Sequence, residues 1–200
     1  MTRFILVRHG ESVWNAEGRL QGQLDPELSA LGRRQVKALA PLVQGLRPDR
    51  CVSSDLLRAR QTAEILGFPE PEVDPAWREI DVGEWGGQLA TEVDPELMAG
   101  WRSGLADPPG GESRAAFLAR VGGALDRLGP ADGSTVLIST HGGCVRMACA
   151  HVTGASPNAF GPIPNASLSL LTVSDRPRLT VLSWIADPLS RAPATDLASG

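Results

Sequence analysis

The chain twice drives a short apolar run straight into a histidine followed by a glycine: FILV into RHG at residues 4–10, and TVLIST into HGG at residues 135–143. Apolar runs bounded this sharply read as strands buried on both faces. Strands of that kind belong to parallel sheets covered by helices on either side, because only there is neither face wet. Several of the intervening segments have the helical period. Ser29 is placed to cap a helix whose apolar positions Val36, Leu39, Ala40, Val43 and Leu46 recur at three and four, with Pro48 beyond its end. Residues 51–53 read as a short strand, and residues 55–66 as a helix with Asp55 near its start. Ser113 caps a further helix that carries Phe117, Val121, Leu125 and Leu128 on one stripe. Towards the end, SLSLLTV and RLTVLSWI flank SDRP and read as an antiparallel hairpin. The alternation predicts an α/β fold in three layers, α/β/α, with a mostly parallel central sheet and an antiparallel edge strand.

With 200 residues, 42% of them hydrophobic and 21% charged, the chain can bury one good core. Residues 1–188 are therefore expected to form a single domain, and residues 189–200, rich in Ala, Pro, Ser and Asp, a flexible tail. Between residues 67 and 112 the periodicity fails, with prolines scattered among tryptophans and glycines. A long aperiodic stretch inside a compact domain is expected to form an irregular cap or substrate wall. The net charge of -4 offers no general attraction for nucleic acid or an anionic membrane. No window approaches the roughly 18 apolar residues a spanning helix needs. Cys51, Cys144 and Cys149 are odd in number and lack C-x-x-C spacing, so reduced, buried thiols in a cytoplasmic protein are expected rather than disulfides or zinc. The hairpin offers an edge at which two copies could pair as a homodimer.

Residues just past the carboxyl ends of parallel strands share one crevice, so His9 and His141 can meet there if both strands are central. Either histidine alone would more often be structural. Arg8 ends a buried strand, a poor place for a cation unless an anion pairs with it. Arg58 falls in the first turn of its helix, where the macrodipole disfavours positive charge. Two arginines and two histidines together describe a pocket for a doubly charged, multi-oxygen anion, and guanidinium forks match phosphate oxygens well. The chain has no G-x-x-x-x-G-K-[ST] loop, no H-E-x-x-H, and no cysteine in a glycine-rich loop ending in arginine. A neutral imidazole, by contrast, can attack phosphorus directly. Glu11, Glu79 and Glu84 are the candidate proton donors.

In order along residues 4–143, LVRHGESVWN, GRLQGQLDPELSALG, VSSDLLRARQTA, REIDVGEWGG, GGES and STHGG resemble the histidine phosphatase superfamily, the phosphoglycerate mutase-like fold. That resemblance implies His9 as nucleophile, with Arg8, Arg58 and His141 on the transferring phosphoryl group and Glu79 as the acid and then the base. It further implies Asn15, Gln21 and the Gly142 backbone in the phosphate pocket, and neither metal nor cofactor. Mutases of the family carry a basic segment with Tyr and Lys after the catalytic glutamate. Here that segment is acidic, and Gln21 stands where mutases tend to have Ser or Thr. A phosphatase acting on a small phosphorylated metabolite is therefore expected. Several segments are similar to glucosyl-3-phosphoglycerate phosphatases, and Arg114 after GGES would suit a substrate carboxylate. An α-ribazole or broad-specificity phosphatase, a phosphoglycerate mutase and a catalytically silent phosphate-binding regulator are the alternatives. Arg102, Trp77, Trp85 and Trp101 lie in or beside the wall, where the tryptophans either meet a leaving group or fill the cap.

Overall fold

The computed structural model describes residues 1–129, 133–173 and 178–185, so the expected domain end at 188, the tail and the SDRP turn lie outside the described residues. In chain order the elements are β1 (Thr2–Arg8), α1 (Val13–Glu17), α2 (Ala30–Gly45), β2 (Arg50–Ser53), α3 (Leu57–Ile65) and β3 (Glu72–Val73). They continue with α4 (Pro95–Ser103), α5 (Arg114–Arg127), β4 (Thr135–Thr140), α6 (Gly142–Thr153), β5 (Ser167–Val173) and β6 (Arg178–Ile185). The strands form one six-stranded sheet in the order β3-β2-β4-β1-β5-β6. β3, β2, β4 and β1 are parallel, while β5 runs antiparallel to β1 and β6 to β5.

Strand pleating sorts the apolar runs onto two faces. Phe4, Leu6, Val136 and Ile138 pack with Phe117, Val121, Val145 and Met147 of α5 and α6. Ile5, Val7 and Leu137 pack on the opposite side with Val36, Leu39, Val43 and Ala63 of α2 and α3. Each such aliphatic, fully buried, contributes roughly 1.5–3 kcal/mol of transfer free energy, which is why the central strands tolerate no polar interruption until their ends. Parallel pairing then aligns those ends: Arg8 stands opposite Thr140, and Ser53 opposite Ser139. The residues that follow β1, β2 and β4 therefore emerge side by side.

Two sequence expectations change. α3 begins at Leu57, and its N-cap, Leu56, makes no side-chain cap bond. Asp55, just before that start, pairs instead with the Arg78 guanidinium, whose Nε donates to Asp55 Oδ1 at 2.8 Å. The stretch 67–112 is also not uniformly irregular. It holds β3 at the sheet edge and α4, which Asp94 caps by accepting from Glu96 N at 2.8 Å and which Gly104 closes with a φ of 78°. Pro95 at the first helical position is well tolerated there, because its missing N–H has no helical partner to lose. Trp77 and Trp85 settle as packing, at 0% and 5% exposed; Trp101, 4% exposed, meets Trp85 edge to face at 5.6 Å between centroids. Arg102, by contrast, is exposed. The three cysteines are buried free thiols. Among the described residues no helix is long and apolar enough to cross a membrane.

Candidate active site

β1 delivers Arg8 and His9 to the crevice, and the His9 N–H donates to the Thr140 carbonyl at 2.9 Å, which ties the turn to the end of β4. Gly10 must follow, because a Cβ there would lie 2.5 Å from the Gly32 carbonyl oxygen at the start of α2. His141 occupies the N-cap position of α6 without making a side-chain cap bond. The His9 and His141 rings are 3% and 0% exposed and meet edge to face, 5.1 Å between centroids. Arg58, 1% exposed, arrives from the first turn of α3.

The hydrogen bonds of His9 assign its proton. Nδ1 lies 2.7 Å from the Gly10 carbonyl oxygen, which can only accept, so Nδ1 carries the hydrogen. Nε2 receives the Arg58 Nε–H at 3.3 Å, and a guanidinium can only donate, so Nε2 presents its lone pair. Burial, and after it the charges of Arg58 and Arg8, hold His9 well below the usual histidine pKa and keep it neutral. The same causes act on His141, burial first and Arg58 next. Ser54, just past β2, places its Oγ 3.0 Å from His141 Nε2 and also accepts from Leu56 N at 3.3 Å. The other ring nitrogen of His141, Nδ1, is buried without a hydrogen-bond partner.

Cations and donors converge on this pair. Arg8 is 3% exposed and its Nη1 donates to the Ile163 carbonyl. Arg58 is held by donation to the carbonyls of Leu24 at 2.7 Å and Gly22 at 2.8 Å; burial pushes its pKa down to about 10, still charged at neutral pH. Asn15 and Gln21 are linked through Ser12, whose Oγ donates to Gln21 Oε1 at 2.8 Å and accepts from Asn15 N at 3.0 Å. Asn15 Oδ1 is occupied by Ser12 N and Asn165 Nδ2, both at 3.2 Å. What Asn15 and Gln21 have left to offer is their amide N–H groups. Gly142, first residue of α6, rests against the Arg8 side chain, where a Cβ would meet Arg8 Cδ at 3.4 Å.

Of the three candidate proton donors, only Glu79 reaches this ensemble. Its Oε2 accepts the Gly143 N–H at 3.0 Å and its Oε1 the Ile80 N–H at 2.9 Å. A Cβ on Gly143 would come within 2.1 Å of Glu79 Oε1, so the carboxylate lies against α6 only because that position is glycine. Arg120 of α5 grips the segment behind it, donating to the carbonyls of Ala76 at 2.9 Å, Arg78 at 2.8 Å and Glu79 at 3.3 Å, while pairing with Glu112 at 2.6 Å. Glu11 instead accepts from Ser29 Oγ at 2.6 Å, and Glu84 is exposed on a 3-10 turn. Arg114, at the start of α5, donates to Asn158 Oδ1 at 3.1 Å and to the Trp101 carbonyl, and shares a small cavity with Glu79. Among the described residues no three His, Cys, Asp or Glu side chains are grouped to hold a metal ion.

Ser54, Arg120, Asn165 and Arg146 also belong to this neighbourhood and stand outside the sequence expectation. Ser54 had a usable signal, the strand-end position of the SS pair after CV. Asn165, which donates to the His9 carbonyl at 3.2 Å, lies in the PNAS segment just before β5. Arg120 and Arg146 had none, since an arginine on a helix reads as a solvated face.

Residues 4–186 match the model of the histidine phosphatase superfamily (branch 1). A metal-independent phosphoserine phosphatase of Arabidopsis thaliana is 35% identical, over 95% of this chain and 82% of its own. A glucosyl-3-phosphoglycerate phosphatase of Mycobacterium tuberculosis is also 35% identical, over 85% of each chain. The solved structure of a mycobacterial glucosyl-3-phosphoglycerate phosphatase with VO3 superposes with a TM-score of 0.84 at 34% identity, covering 90% of this chain and 98% of that one. The chain belongs to the histidine phosphatase superfamily, and it is a phosphoric monoester hydrolase of that family.

Proposed function

We propose that the protein hydrolyses a phosphate monoester of a small metabolite through a phosphohistidine on His9, without a metal ion. The observation that carries this reading is the unprotonated Nε2 of a buried, neutral His9, which accepts only from the Arg58 guanidinium that would also meet the phosphate. Arg8 and Arg58 together balance the two negative charges of a phosphate dianion. His141 Nδ1 and the amides of Asn15, Gln21 and Gly142 supply donors for the remaining oxygens. The Nε2 lone pair attacks phosphorus, and an N–P bond forms as the bond to the ester oxygen breaks. Glu79 gives its proton to the departing oxygen. Water then attacks phosphorus and loses a proton to Glu79, while the N–P electron pair returns to His9.

The phosphatase outcome is supported by the acidic segment after Glu79 and by the names of the relatives. Phosphoserine and glucosyl-3-phosphoglycerate are both monoesters whose alcohol carries a carboxylate, and both are candidate substrates here. Residues 1–188 would act as one cytoplasmic domain, and β6, at the sheet edge, offers the surface for a homodimer.

Release of phosphate from p-nitrophenyl phosphate in the presence of EDTA tests the scheme. Turnover is expected to persist with EDTA and to fall roughly a thousandfold or more in His9→Ala. A wild type that is silent, or that needs a divalent metal, contradicts the proposal, as does an equally active His9→Ala.

A further inference from the structure

The small cavity beside Glu79 receives two arginines, and they are not held alike. It is lined by Glu79 and Gly143, by Arg114 and Arg146, and by the apolar walls of Trp101 and Phe117. Arg114 is fixed through two of its nitrogens, on Asn158 and on the Trp101 carbonyl. Arg146 projects from α6, three residues on from Gly143 and so on the same helical face. Its Nε is buried with no hydrogen-bond partner, and no ion pair with any described residue holds its guanidinium. The Nε of Arg114 is likewise buried and unpartnered.

A largely buried guanidinium without a partner is costly, and it is retained where an anion completes it. Around Arg146 the charges do not cancel. Glu79 attracts it, while Arg114 and Arg8 repel it, and burial lowers its pKa before any of them. A phosphoryl group on His9 would answer Arg8 and Arg58 and leave Arg146 with Glu79 as its one attracting carboxylate, while Arg114 has Asp107. We propose that Arg146, with Arg114 beside it, forms a second anion subsite that takes a carboxylate on the leaving group of the substrate. The flat fork of Arg146 matches the two oxygens of a carboxylate, and Trp101 and Phe117 close the cavity on its apolar side. The subsite rests on the phosphomonoesterase reading and narrows its substrates to phosphate esters of hydroxy acids.

Competition against p-nitrophenyl phosphate turnover tests it with two compounds that differ only at the group in question. 3-Phosphoglycerate carries a carboxylate where glycerol 3-phosphate carries a hydroxymethyl group. The wild type is expected to bind 3-phosphoglycerate roughly tenfold to a hundredfold more tightly, the worth of a charge-assisted pair. In Arg146→Gln the ratio of the two inhibition constants should fall to within about threefold of one, and Arg146→Lys should keep part of the preference. A wild-type ratio near one overturns the subsite without any variant, and so does an Arg146→Gln protein that keeps the wild-type ratio. Should Arg146→Gln fail to fold, Arg146→Met reads the same ratio. Absence of p-nitrophenyl phosphate turnover in the wild type is the separate result that overturns the phosphatase reading, and the subsite falls with it.

Discussion

At the scale of single residues, the proposed chemistry is divided between a group that attacks and a group that protonates, and each is prepared by a different contact. His9 is prepared by its two hydrogen bonds, which place the proton on Nδ1 and the lone pair on Nε2. Glu79 is prepared by position, its two oxygens turned by the N–H groups of Gly143 and Ile80. The division predicts how Glu79→Gln will fail. Alkyl phosphates have poor leaving groups and need the proton, so their kcat should drop roughly a hundredfold to ten-thousandfold, whereas p-nitrophenyl phosphate should lose less than about tenfold. Steady-state kinetics on both esters checks this; equal losses would remove Glu79 from the acid role. RHG and HGG were legible because each histidine follows a run that could only be a buried strand. Arg146 was not, because arginine is common on helix surfaces and only its burial beside a carboxylate sets it apart.

At the scale of elements, the site is an edge phenomenon: β1, β2 and β4 end in register, and the loops after them have nowhere else to go. α6 contributes twice, through its first N–H groups and through the close approach that Gly143 allows. Gly143→Ala should therefore act as a displaced Glu79. The added methyl meets Glu79 Oε1 at 2.1 Å and Phe117 Cε1 at 2.9 Å, so either the carboxylate or the ring must move. A shift of about 1 Å is enough for a loss of roughly a hundredfold in kcat on alkyl phosphates, with overpacking costing about 1–3 kcal/mol of stability. Kinetics on the two esters together with urea unfolding reads both effects; a full loss on p-nitrophenyl phosphate would mean that the phosphoryl pocket itself had been disturbed. The strands and the long helices were legible from period and caps, since Ser29 and Ser113 each accept from a first-turn N–H. The D-P-E-L opening of α4 is a capping signal too, but a helix of 9 residues among prolines shows little periodicity to support it.

At the scale of the whole molecule, the fold keeps two histidines neutral in its interior, and its stability must depend on pH accordingly. The folded pKa of His9 and of His141 is held well below the unfolded value of about 6.5, so below that pH the unfolded chain binds protons that the native protein refuses. Their contribution is fully present above pH 6.5 and is lost as the pH falls through the window beneath it. With both groups buried, the slope approaches about 2.7 kcal/mol per pH unit once the unfolded histidines are protonated. Urea unfolding at pH 7 and pH 5.5 should show the decline, and His141→Gln should make it shallower; an unchanged slope in that variant would mean that His141 takes up a proton in the native state. By itself the sequence determined the three layers, the strand-end placement of both histidines and the family, because buried strands and caps are local patterns that one stretch of chain can carry. Only the tertiary structure decided that Asp55 pairs with Arg78 instead of capping α3, that Trp77 and Trp85 fill the cap, and that Arg146 stands beside Glu79. Those outcomes depend on which side chains meet across long separations in the chain, and a buried charge reveals its purpose only through the partners it has and the one it lacks.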